Sequence, residues 1–82
     1  MLLEVISAKY DEKYRIVLRF NDGYEATVDL EKVLSDECRS IFQPLKNRDY
    51  FKKFSVKLNT ICWENEADFA PEFLYELAKS RA

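Results

Sequence analysis

From Tyr14 to Leu30 apolar and charged side chains exchange places at nearly every step, and this period of two constrains the fold more than any other feature of the chain. Tyr14, Ile16, Leu18 and Phe20 alternate with Arg15, Val17 and Arg19. Tyr24, Ala26, Val28 and Leu30 alternate with Glu25, Thr27 and Asp29. Successive side chains of a strand point to opposite faces, so each run describes a strand with one face on a core and the other in water. Between the runs stands Asn21-Asp22-Gly23, with the chain's only glycine, where a hairpin turn asks for positive φ. Residues 2–9 read as a preceding strand, with Leu3, Val5 and Ser7 on one face and Leu2, Glu4, Ile6 and Ala8 on the other. The polar turn Tyr10-Asp11-Glu12-Lys13 joins it to the second. The prediction is a three-stranded antiparallel meander.

After Leu30 the period changes. Asp29 is placed to cap a short helix over Glu31-Lys32-Val33-Leu34, its carboxylate accepting from an orphan backbone N–H. Residues 35–45 carry no clear period, and Pro44 disfavours helix at Gln43. Asn47 or Asp49 is placed to cap a second short helix through Tyr50, Phe51 and Phe54. Residues 55–58 and 60–64 read as a second hairpin turning near Asn59. A final helix begins at Pro71, a residue suited to the first helical position. Its apolar stripe is Phe73, Leu74, Leu77 and Ala78. With Ala70 as N-cap, Phe69 and Leu74 occupy the two positions of a hydrophobic staple; Asp68 is the better capping chemistry nearby. Residues 1–82 therefore make one α+β domain, and with 48% hydrophobic and 15% aromatic residues it has the material for a core.

Several chemistries drop out. The chain has no histidine, which removes the commonest general base and metal ligand together. Two cysteines without histidine cannot build a four-ligand zinc site. Cys38 and Cys62 read as reduced, non-catalytic thiols. One glycine cannot supply a dinucleotide fingerprint or a phosphate loop. Glu64, Glu66 and Asp68 have the spacing that opens a calcium loop, but no glycine follows and Tyr75 stands at the twelfth position. No catalytic residue, cofactor or metal is expected. Neither a signal peptide nor a membrane-length apolar run is present, so the expected location is the cytoplasm, away from membranes.

Charge is unevenly distributed. The net charge is -2, yet residues 42–60 hold five basic and one acidic side chain. Lys46, Arg48, Lys52, Lys53 and Lys57 are interleaved with Tyr50, Phe51 and Phe54. Cations for phosphates beside aromatics for stacking are what single-strand binders use. Set against this, Phe51 and Phe54 have the spacing of core residues on a helix, and the acidic flanks oppose a polyanion. Binding to random DNA or RNA at physiological salt is expected to be weaker than roughly 10⁻⁴ M. The sole tryptophan, Trp63, reads first as a core anchor and second as a contact residue. With Asn65 and Asp68 it makes a candidate binding segment.

An ordered series of segments carries a resemblance. Phe20-Asn21-Asp22-Gly23, Val28-Asp29-Leu30, Phe42-Gln43-Pro44-Leu45 and Asp49-Tyr50-Phe51 lead to Trp63-Glu64-Asn65-Glu66-Ala67-Asp68, with Pro71, Leu74 and Tyr75 after it. The series resembles the bacterial domain-of-unknown-function family 2442 over nearly the whole chain. The resemblance implies a small α+β domain, found alone or fused to a helix-turn-helix, with no established activity. Glu66 departs from it, since glycine is usual there. Either the turn differs, or Asn65 takes the left-handed conformation.

From these observations the expected function is a non-enzymatic protein-interaction module, of the kind that forms one half of a bacterial regulatory or toxin–antitoxin-like pair. Its partner is expected to be another protein or a second copy of the chain, met at an open sheet edge. The alternative is a nucleic-acid-binding regulator using residues 46–57, the partner class that the acidic flanks disfavour.

Overall fold

The structure, a computed structural model, describes residues 2–37 and 39–79. Strands β1 (Val5–Tyr10), β2 (Arg15–Phe20) and β3 (Glu25–Asp29) form an antiparallel sheet in the order β1-β2-β3. The meander is therefore as the alternation predicts. Ile16, Leu18 and Phe20 are fully buried while Arg19 is exposed. Val28 and Leu30 are buried on the same side from β3 and its end.

β1 departs from the uninterrupted alternation expected of it. Val5 pairs with Phe20 and Ser7 with Arg19, so Ile6 is an extra residue opposite a single step of β2. This bulge switches the inward parity. Val5 is buried, but after it Ala8 and Tyr10 turn inward, and Ser7 is exposed. Ile6, left on the outside, is 53% exposed.

Helix α1 (Glu31–Asp36) starts one residue later than Asp29 itself would cap. The Asp29 carboxylate nevertheless accepts from the Glu31 N–H at 3.0 Å, so its oxygen satisfies an orphan donor. The stretch without a clear period is a 3-10 helix, Ser40–Lys46, with Pro44 inside it. Its i→i+3 bonding buries Phe42 and Leu45 on one side. Asn47 caps helix α2 (Arg48–Phe51) by accepting from the Asp49 N–H at 2.9 Å. The helix ends at Phe51, and Phe54 falls outside it.

The second hairpin, β4 (Ser55–Lys57) and β5 (Thr60–Cys62), turns through Leu58 at φ 51° and Asn59 at φ 73°. Two consecutive positive φ values are the signature of the tight turn whose twist matches a hairpin. The Asn59 carbonyl accepts from the Val5 N–H at 2.9 Å, which ties this turn to the start of β1. Helix α3 (Pro71–Lys79) begins at its proline, and the Ala70 carbonyl accepts the Leu74 N–H at 3.1 Å. Phe69 and Leu74 are both buried, as the staple requires. Leu74 and Ala78 seat the helix, whereas Phe73 of the expected stripe is 42% exposed. Among the described residues Asp68 makes no side-chain bond to the helix amides. Cys62 is a free, half-buried thiol; Cys38 lies outside the described residues. No helix here is long and apolar enough to cross a membrane.

Candidate functional site

The basic segment runs over the end of the 3-10 helix, α2 and β4. Lys46, Arg48, Lys52, Lys53 and Lys57 are all exposed, and among the described residues none of them takes part in a salt bridge. The aromatic residues between them face the other way. Phe51 is fully buried, and Tyr50 and Phe54 are half-buried. Phe51 is drawn into the core, while Arg48 before it and Lys52 and Lys53 after it stay in solvent. Around Phe51 stand Tyr14 at 5.2 Å between ring centroids, Trp63 at 5.7 Å, Tyr10 at 6.4 Å and Phe54 at 6.5 Å. The cations are thus presented without the stacking rings that the interleaving suggested.

Trp63, Asn65 and Asp68 meet different fates. Trp63 is 3% exposed, and its indole Nε1 donates to the Phe51 carbonyl at 2.9 Å. It is a core anchor with its polar atom satisfied. Asn65 organises the turn after β5. Its Oδ1 accepts from the Ala67 N–H at 3.1 Å, and its Nδ2 donates to the Ile41 carbonyl at 2.8 Å. Its own N–H donates to the Tyr50 hydroxyl at 3.2 Å. Only Asp68 keeps an exposed side chain with no bond inside the described residues. With Lys57, Leu58, Cys62, Trp63, Glu64 and Glu66 it borders an open depression of about 400 Å³, so Trp63 and Asp68 share one lining and Lys57 sits beside acids there. Among the described residues no three acidic or cysteine side chains converge enough to hold a metal ion.

The left-handed position of this turn is Glu66, at φ 71°. Asn65 therefore does not take the left-handed conformation; Glu66 bears it. The strain is about 1–2 kcal/mol for a side chain with a Cβ. Glu66→Gly is therefore expected to stabilise the domain by about 0.5–1 kcal/mol, relief of strain less the added freedom of the unfolded chain. A urea midpoint that fell for this variant would contradict the account.

Alternation did not reveal one tertiary bond. The Tyr75 hydroxyl donates to the Asp22 carboxylate at 2.6 Å, joining α3 to the β2–β3 turn. The Tyr75 ring packs edge-on to Phe20 at 4.9 Å and near Tyr24 at 5.3 Å. Tyr75's hydrogen bond holds the Asp22 carboxyl below its ordinary value, and the same bond raises the phenol. Its two ends are 53 residues apart, so no local pattern could have shown it.

Fold and surface define a small α+β domain with a buried aromatic centre and a separate exposed basic segment. The chain belongs to the family described as Protein of unknown function (DUF2442), whose model matches residues 5–80. No curated protein matches it. Its fold is similar to the crystal structure of "Putative DNA Binding Protein" from Nitrosomonas europaea ATCC 19718, with a TM-score of 0.79 and 17% identity. The alignment covers 99% of this chain and 52% of that one, so this chain spans about half the neighbour's length. At that identity the likeness carries the fold and nothing finer.

Proposed function

We propose that this domain is a non-enzymatic nucleic-acid-binding regulator, contacting backbone phosphates through residues 46–57. The observation that carries the reading is the exposure of all five cations there, with no carboxylate in salt-bridge reach among the described residues. The neighbour's description as a "Putative DNA Binding Protein" supports it, although that chain is about twice as long. The sequence alone favoured protein interaction; exposure of the cations and that description shift the balance. Sequence-independent binding of this kind comes from released counterions and is steeply salt-dependent. The overall charge of -2 keeps it weak.

Fluorescence anisotropy with labelled oligomers over a salt series tests it. Micromolar binding is expected at about 50 mM salt, with log K falling against log salt by about 0.9 per phosphate contact on duplex. Lys52→Glu with Lys53→Glu should flatten that slope by about two. Affinity weaker than roughly 10⁻⁴ M even at the lowest salt sinks the proposal.

Protein interaction is the second reading, and one observation favours it. Leu58 is 92% exposed and held at φ 51°, an apolar side chain presented to solvent from a strained turn. Absence of nucleic-acid binding at every salt returns the module to that reading.

A further inference from the structure

The first hairpin turn is distant in sequence from the basic segment yet is fastened to it at two points. The Tyr14 hydroxyl donates to the Lys46 carbonyl at the end of the 3-10 helix. Tyr10 lies under the Lys52 ammonium, 5.5 Å from its ring centroid, and its hydroxyl donates to the Lys13 carbonyl at 2.9 Å. Tyr10 and Tyr14 are the residues on either side of the turn, and both pack against Phe51. Lys13, exposed at the turn, is therefore carried to the edge of the segment that holds Lys46, Arg48, Lys52 and Lys53.

The backbone at Lys13 adds an independent observation. Its φ is 51°, a conformation that favours glycine or asparagine and is costly for lysine. Unfavourable backbone geometry that persists is a pointer to a role for the side chain it carries. Carboxylates share this neighbourhood: Asp11 and Glu12 in the turn and Asp49 in α2. Glu12 is held by Arg15 at 2.9 Å. These acids limit the strength of any anion contact without supplying one of their own.

We infer that Lys13 completes a phosphate-contacting surface with Lys46, Arg48, Lys52 and Lys53, and that the surface takes duplex nucleic acid by its backbone. This rests on the nucleic-acid reading above and sharpens it. Single strands are gripped by stacking bases on exposed rings. Here Phe51 is fully buried and Tyr10, Tyr50 and Phe54 are half-buried in the packing around it, so cations are what the surface offers.

Lys13→Gly separates the charge from the fold, because it removes the ammonium and relieves the backbone at once. Its melting temperature should rise or hold, while the salt slope for duplex becomes shallower by about 0.9 and affinity at about 50 mM salt drops about tenfold. Glu66→Gly, which relieves the same kind of strain elsewhere, should leave the slope unchanged. Wild type should bind duplex more tightly than a single strand of equal length. An unchanged slope for Lys13→Gly, alongside a flattened one for Lys52→Glu with Lys53→Glu, overturns the inference and leaves the broader reading standing. Tighter binding of the single strand overturns the choice of duplex. A wild type that binds neither removes both readings together.

Discussion

Phe51→Ala is expected to cost about 3–5 kcal/mol, the largest effect of any single substitution considered. Phe51 is fully buried and is ringed by Tyr10, Tyr14, Phe54 and Trp63. Edge-to-face aromatic pairs add about 0.5–1.5 kcal/mol beyond area burial. These four rings come from three separate regions of the chain, so a void at Phe51 loosens the first hairpin, the link into β4 and the turn after β5 at once. Total stability for small domains is only about 5–15 kcal/mol, and each kcal/mol moves the melting temperature of a domain this size by about 4–8 °C. The melting point should therefore fall by well over about 10 °C. Phe54→Ala, at a half-buried ring of the same cluster, should cost clearly less. Equal losses for the two would mean that Phe51 is not the centre of the packing.

Leu18→Ala should cost about 2–5 kcal/mol and Arg19→Ala less than about 1. The two residues are neighbours on β2, and the pleat sends one into the core and the other into water. Leu18 is fully buried. Arg19 is exposed, and its one ion pair, to Glu25 at 3.9 Å, is the solvent-screened kind worth little. Denaturant melts give both values directly. The reverse order would mean that the sheet faces are inverted.

Bulges and turn strain separate what was legible from what was not. The β2–β3 hairpin was readable because each strand's alternation and the Gly23 turn, at φ 91°, state the same arrangement independently. In β1 the same reasoning stopped at Val5, since a bulge inserts a residue without marking it in the local pattern. Glu66 shows a related limit. The sequence marked its turn as unusual and offered either a different turn or Asn65, a residue that tolerates positive φ, but the conformation falls on Glu66. Asn65 instead spends its amide on Ile41 and Ala67, which stabilises the turn and leaves the strain to Glu66.

What the sequence by itself determined is the α+β class, the meander, the two later hairpin and helix elements, and the run of five cations at 46–57. All of these are properties of residues close together along the chain, where side-chain period, capping and turn chemistry act over a few positions. Tertiary structure alone decided which way the interleaved aromatics faced, that Trp63 is a core anchor, and that the β1–β2 turn is tied to the basic segment through Tyr10 and Tyr14. Each of those depends on burial or hydrogen bonds between residues far apart in sequence. A lysine run reads the same whether its neighbouring rings stack on a ligand or on one another. Closing the core around Phe51 settles it, because burying that ring among Tyr14 and Trp63 removes its apolar surface from water.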